Sequence, residues 1–213
     1  AFQLMMAPGI KVQSTTARAL LAEAGISWVR QDFLWEEIEP RRGEFDFNKY
    51  DLIIDTLRTR DIHILGLLNY GAPWACASGR WNDPPADNGL FLNYATQVIA
   101  RYRDKIKYWE LWNEPDSEIY WLRQDNLKSY CLLLKELYAR AKKTDPECRI
   151  LNGGLAKGLN SVKQLYANGA AGYFDILNIH IFEPPQDPAA IKRIEDYPRL
   201  AYELMRGYAD AGK

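Results

Sequence analysis

The sequence predicts an α/β fold, specifically a (β/α)8 TIM barrel that is truncated after about six βα units. Strand-like and helix-like segments alternate along the chain, and the strands are apolar on both faces, as in a parallel sheet covered by helices. The first strand–helix turn, Pro8-Gly9-Ile10-Lys11, lacks the G-x-G-x-x-G fingerprint of dinucleotide-binding sheets. At roughly thirty-four residues per unit, eight units need about 280 residues, a usual barrel size. The chain has 213 residues.

The first half of the chain is predicted to contain three strand–helix pairs. Apolar runs indicate the strands Phe2–Ala7, Ile26–Arg30 and Ile62–Leu68. Ser14 can cap the first helix, whose apolar positions run to Ala24 before Gly25 ends it. Asn48 can cap the second helix, which has apolar residues at helical spacing from Tyr50 to Leu57. The third helix is predicted over Phe91–Tyr102.

The second half continues the same alternation. Strands are predicted over Ile106–Trp112, Arg149–Asn152 and Asp175–Phe182, and helices over Asn126–Lys143, Ser161–Asn168 and Ile191–Tyr208. No Gly/Ser linker, low-complexity tract or shift in composition interrupts the series. We therefore expect residues 1–213 to form a single, incomplete barrel domain.

Composition and charge exclude several classes of protein. The formal net charge is −1, whereas a nucleic-acid binder or a protein bound to an anionic membrane surface needs a positive field. No apolar run approaches the ~20 residues of a membrane-spanning helix, and the first residues lack the charged start of a signal peptide. The sequence does not assign a compartment. With three scattered cysteines and two histidines, neither a zinc site nor a disulfide scaffold is expected.

Polar and aromatic side chains collect where the predicted strands end. In a barrel these positions, and the loops that follow them, carry the functional residues. An arginine, carboxylates, an amide, a histidine and aromatic rings would thus meet on one face, which suits a sugar cleft. The candidates are Arg30, Asp32, Trp35, Tyr70, Trp74, Trp112, Asn113, Glu114 and His180.

Two stretches resemble a known group of enzymes. Tyr108-Trp109-Glu110-Leu111-Trp112-Asn113-Glu114-Pro115 resembles the Asn-Glu-Pro signature on the fourth strand of clan A glycoside hydrolases. Residues 25–40, continued by Gly43-Glu44-Phe45-Asp46-Phe47, are similar to the second-strand region of family 39 (β-xylosidase-like) and family 5-like members. The resemblance extends over units one to six, essentially the whole chain.

The resemblance implies a retaining glycoside hydrolase that cleaves β-linked bonds by double displacement with two carboxylates. Glu114 would be the general acid/base, Asn113 would contact the sugar 2-hydroxyl, and Arg30 would keep the nucleophile ionised. His180 would line the sugar site. The clan commonly has tyrosine where this chain has Phe182. The nucleophile belongs to strand seven, which we expect beyond Lys213.

Two carboxylates supply this chemistry, so no metal or cofactor is expected, and the expected partner is an oligo- or polysaccharide. Oligomeric state is not assigned. The alternative function is a non-catalytic carbohydrate-binding or scaffold barrel. Among enzymes, an exo-β-xylosidase, an endo-acting cellulase- or mannanase-like enzyme and a polysaccharide-trimming hydrolase stay open.

Several candidate residues also have structural interpretations. Glu110 is predicted to be a buried partner of a basic side chain, with Arg30 as one candidate. Trp35, Trp74 and Trp112 either line the cleft or pack beneath the loops, and Asp32 either contacts substrate or belongs to the rim. The stretch from Gly71 to Gly89 is long for a connection, and it is interpreted as a wall of the substrate site.

Overall fold

The computed structural model describes residues 24–59, 61–183 and 186–210. The predicted strand Phe2–Ala7 lies outside these residues, as does the first predicted helix except for its last residue, Ala24.

Within the described residues the sheet has four strands, all parallel and in sequence order. They are β1 (Trp28–Leu34), β2 (His63–Asn69), β3 (Tyr108–Leu111) and β4 (Arg149–Asn152). The predicted sixth strand is reduced to two parallel bridges beside β4, Leu151 with Ile176 and Leu155 with Ile179. Parallel strands joined by helices in simple order confirm the α/β fold class.

Six helices are described. They are α1 (Trp35–Ile38), α2 (Asn48–Arg58), α3 (Asn88–Tyr102), α4 (Lys128–Thr144), α5 (Leu159–Ala167) and α6 (Ala190–Gly207). Asn48 begins α2 instead of capping it, because the Asp46 side chain accepts the Asn48 N–H at 2.9 Å. None of the described helices is long and apolar enough to span a membrane.

The strand β1 runs four residues past its predicted end at Arg30. Phe33 is fully buried and stacks on Tyr50 at 5.0 Å, while the Tyr50 hydroxyl accepts the Leu34 N–H. Alternation along the strand puts Arg30 and Asp32 on the face opposite Phe33. The strand was predicted too short because the polar residues from Arg30 to Asp32 end the apolar run in the sequence.

The core lies between the sheet and the helices. Trp109 on β3 is fully buried and packs on Phe33 with ring centres 5.3 Å apart. A Cβ atom on Gly66 of β2 would lie 2.4 Å from the Trp109 ring. Only glycine therefore leaves room for this indole. Packing on this side of the sheet leaves the opposite face and the strand ends to the polar candidates.

Candidate active site

A buried ion pair joins β1 to β3. The Arg30 guanidinium donates from Nε to Oε2 of Glu110 at 2.6 Å and from Nη2 to Oε1 at 2.7 Å. Glu110 is fully buried, and its Oε1 also accepts the Gly154 N–H at 3.0 Å. Burial disfavours the charged guanidinium, but the hydrogen bonds and charge of Glu110 outweigh it and raise the pKa of Arg30. The prediction that Glu110 pairs with a basic residue is confirmed.

The same guanidinium holds Asn113, the first residue of the Asn-Glu pair. Arg30 Nη2 donates to Asn113 Oδ1 at 3.0 Å. An amide whose oxygen is occupied in this way has its NH2 group on the other side, available as a donor. The arginine therefore orients the amide that is predicted to contact the sugar.

Glu114 and His180 form a second pair, although 66 residues separate them in sequence. His180 Nδ1 lies 2.7 Å from Glu114 Oε1, and Glu114 is 8% exposed. The backbone leading to the carboxyl is unusual, with φ values of +62° at Trp112 and +45° at Glu114. Non-glycine residues adopt this left-handed region rarely, and such residues concentrate at functional sites.

Two residues that were not among the predicted site residues, Asn152 and Gly154, position His180. Asn152, at the end of β4, is fully buried, and its side-chain amide binds the backbone of Asn178. It donates to the Asn178 C=O at 2.9 Å and accepts the Asn178 N–H at 2.8 Å. A Cβ atom on Gly154 would lie 2.0 Å from His180 Nε2. A polar residue and two glycines at the end of a buried strand, Asn152-Gly153-Gly154, were the available signal.

Asp32, Asn69 and Tyr70 meet at the ends of β1 and β2. Asp32 Oδ1 accepts a hydrogen bond from Asn69 Nδ2 at 3.0 Å, and Asn69 is fully buried. Burial raises the pKa of Asp32, while Asn69 and the charge of Arg30 oppose part of the rise. Burial and the nearby Asp32 charge also raise the pKa of Tyr70. Asn69 was not among the predicted site residues.

Two of the three candidate tryptophans are buried and are not exposed in a cleft. Trp35 and Trp112 are fully buried, and their indole N–H groups donate to Glu39 Oε2 and to the Tyr120 C=O, both at 2.7 Å. A ring without exposed surface has nothing to offer a sugar. The interpretation of these two as cleft walls is therefore wrong, and both indoles pack against Phe91 of α3 instead.

Trp74 is partly buried. It packs edge-on against Trp35, with ring centres 5.4 Å apart, and donates to the Glu39 C=O at 2.8 Å. Its role in substrate binding stays a prediction. Within the described ranges, no group of three His, Cys, Asp or Glu side chains is placed to hold a metal ion.

Comparison with families and curated proteins points to glycosidases. Residues 11–73 match the family model for glycoside hydrolase family 42, described as beta-galactosidase. The aryl-phospho-beta-D-glucosidase BglA of Bacillus subtilis (strain 168) is 31% identical over 110 residues, which are 47% of this chain and 22% of that protein. The phospho-cellobiase of Klebsiella oxytoca is 32% identical over 104 residues, 45% of this chain and 22% of that protein. The matches thus span about a fifth of these relatives.

Solved structures share the fold. A family 39 glycoside hydrolase from the gut symbiont Bacteroides cellulosilyticus WH2 superposes with a TM-score of 0.70 and 22% identity, covering 87% of this chain and 39% of that one. The exo-beta-1,4-mannosidase Op5Man5 from Opitutaceae bacterium strain TAV5 has a TM-score of 0.69 and 17% identity, covering 88% and 39%. The predicted barrel fold is confirmed for the part compared, as is the resemblance to clan A glycoside hydrolases.

Proposed function

We propose that the protein containing these residues is a retaining glycoside hydrolase of β-linked bonds, with Glu114 as its general acid/base. The observation that carries the proposal is the pairing of Glu114 with His180, 2.7 Å apart, at the carboxyl end of a parallel strand. A carboxyl group that is largely shielded from water and held by one oxygen is preorganised for proton transfer.

The reaction needs Glu114 in two protonation states. In the first step its carboxyl group protonates the leaving oxygen while a second carboxylate attacks the anomeric carbon and forms a glycosyl-enzyme. In the second step the ionised Glu114 takes a proton from water, which cleaves that ester bond with net retention. His180 orients the carboxyl through Oε1, which leaves Oε2 for the glycosidic oxygen. The second carboxylate in this proposal is the nucleophile that the family resemblance assigns to strand seven.

The neighbouring polar groups supply the sugar contacts in this proposal. Asn113, oriented by Arg30, donates its NH2 group to the 2-hydroxyl, a contact that strengthens in the oxocarbenium-like transition state. Asp32 and Tyr70 bind hydroxyls at the ends of β1 and β2. The known proteins that match are described as acting on different sugars, so the proposal names a β-linked oligo- or polysaccharide and no particular sugar.

The test is Glu114→Ala in the protein that contains these residues, assayed on aryl β-glycosides with leaving groups of graded acidity. We expect losses of about 10²- to 10⁴-fold for poor leaving groups, which need protonation, and much smaller losses for activated phenols. Azide should restore turnover by entering the space left by the carboxyl. The wild-type product should keep the anomeric configuration of the substrate by NMR.

Glu183→Ala is the matched control, because this carboxylate follows the predicted strand Asp175–Phe182 and accepts a hydrogen bond from Arg193 Nη2 at 2.6 Å. The rate of Glu183→Ala relative to wild type should not depend on the acidity of the leaving group. Near-wild-type rates for Glu114→Ala across the series, or an inverted product, would contradict the proposal. Sugar binding without any hydrolysis by the wild type would instead support the non-catalytic barrel.

A further inference from the structure

An aromatic cluster reaches the surface beside the candidate site. Trp81, on the connection between β2 and α3, is 43% exposed although its ring packs on Tyr70 at 4.8 Å and on Tyr120 at 6.1 Å. Tyr70 and Tyr120 lie nearly parallel, with ring centres 6.2 Å apart and planes at 13°. We call Tyr70, Trp81 and Tyr120 the outer platform. Its three rings come from the ends of two strands and their loops.

The backbone that carries the outer platform is fixed at several points. The Gly71 N–H donates to the Trp81 C=O at 2.7 Å, which ties the loop to the end of β2. The Asn82 side chain donates from Nδ2 to the Ile119 C=O at 2.8 Å, and the residue is 4% exposed. The backbone C=O of Asn82 accepts the Leu122 N–H at 3.1 Å. These bonds join the loop after β2 to the loop after β3, so the rings are held before any ligand arrives.

The outer platform adjoins the candidate active site through Tyr70. The Tyr70 ring packs edge-on against Trp112 at 5.5 Å, and Trp112 directly precedes Asn113 and Glu114. On the strand side, Tyr70 follows Asn69, which bonds Asp32. Tyr70, which binds a sugar hydroxyl in the proposed function, therefore contacts Trp81 as well as the residue that precedes Asn113.

We propose that the outer platform is a subsite for a second or later sugar ring of a β-linked oligosaccharide. The face of an aromatic ring is negative and its edge positive, so the C–H face of a pyranose packs favourably on an indole. A preorganised surface loses little entropy on binding, which favours a specific subsite. The inference rests on the proposed function and adds a preference for chains of three or more sugars.

The experiment compares wild type, Trp81→Ala and Trp81→Phe in the protein that contains these residues. The probes are cellotriose, xylotriose and mannotriose together with the aryl β-monoglycosides of the same sugars. We expect Trp81→Ala to lower the ratio of kcat/KM for trisaccharide over monoglycoside at least ten-fold, and Trp81→Phe to recover part of it. Leu52→Ala, at a residue of α2 that is 63% exposed, is the control and should leave the ratio unchanged.

A binding measurement separates this inference from the proposed function. In the Glu114→Gln background, calorimetry should give a Kd for the trisaccharide that rises at least ten-fold with Trp81→Ala. If the wild type hydrolyses glycosides and neither ratio nor Kd changes, the outer platform is overturned and the proposed function stands. If no glycoside is hydrolysed, the proposed function fails. In that case the Kd for the trisaccharide tests the outer platform directly. The outer platform is overturned if the wild type does not bind the trisaccharide or if Trp81→Ala binds it equally well.

Discussion

Gly154 contacts both side-chain pairs of the candidate site, Arg30 with Glu110 and Glu114 with His180. Its N–H donates to Glu110, and its Cα faces the His180 ring so closely that a methyl group would collide with Nε2. We expect Gly154→Ala to reduce the free energy of unfolding by about 1–3 kcal/mol through overpacking. In a His180→Ala background the methyl group has room, and the loss should be much smaller. Urea unfolding of the four proteins in this cycle measures the coupling.

The control for that cycle is Gly207→Ala, because nothing lies within 4 Å of the Cβ position there. This variant should behave alike with and without the His180 side chain. An equal loss for Gly154→Ala in both backgrounds would show that His180 does not occupy the space above Gly154.

The raised pKa of Asp32 predicts that the stability of the protein depends on pH. Burial raises its pKa in the folded protein, so the folded state binds the proton more tightly than the unfolded chain. The resulting stability is complete below the unfolded pKa of about 3.9 and is lost as the pH rises through the folded pKa. Asp32→Asn keeps an oxygen for Asn69 Nδ2 and removes the ionisation. Its stability relative to wild type should therefore increase from pH 3 to 7 in urea unfolding, and a flat or falling difference would contradict the burial.

At the scale of elements, the Asn152 side chain adds two hydrogen bonds to the few backbone bonds that hold the segment around Asn178. The segment around Asn178 makes only isolated bridges to β4, and the buried Asn152 amide bonds its N–H and C=O. Asn152→Ala leaves the Asn178 N–H without its acceptor, at a cost of about 1–3 kcal/mol, while the Asn178 C=O keeps the bond from the Leu155 N–H at 3.3 Å. We expect faster hydrogen exchange at the Asn178 and His180 amides, since both belong to the released segment.

Asn88→Ala tests whether any lost asparagine would do the same. Its amide makes one exposed bond to Glu136 at 3.4 Å, so exchange at Asn178 should stay unchanged. Unchanged exchange in Asn152→Ala itself would mean that the bridges alone hold the segment that carries His180.

At the scale of the whole molecule, a single domain over residues 1–213 stays a prediction. Within the described residues, the buried side chains form one cluster that runs from Val29 to Met205, without a division between units. We therefore expect limited proteolysis of the protein that contains these residues to cut between β1 and α6 only upon global unfolding. A stable fragment that ends between β2 and β3 would divide the domain.

The sequence by itself determined the order of strands and helices and the place of Asn113-Glu114 at a strand end, because apolar runs and helical spacing are local properties. It also predicted a basic partner for Glu110. The tertiary structure decided what each side chain meets: Arg30 reaches Glu110 across 80 positions, and Glu114 meets His180. It also buried Trp35 and Trp112, since both indoles pack against Phe91 of α3. Such contacts depend on where β1, β3 and the segment after β4 lie in space, and local sequence patterns do not carry that information.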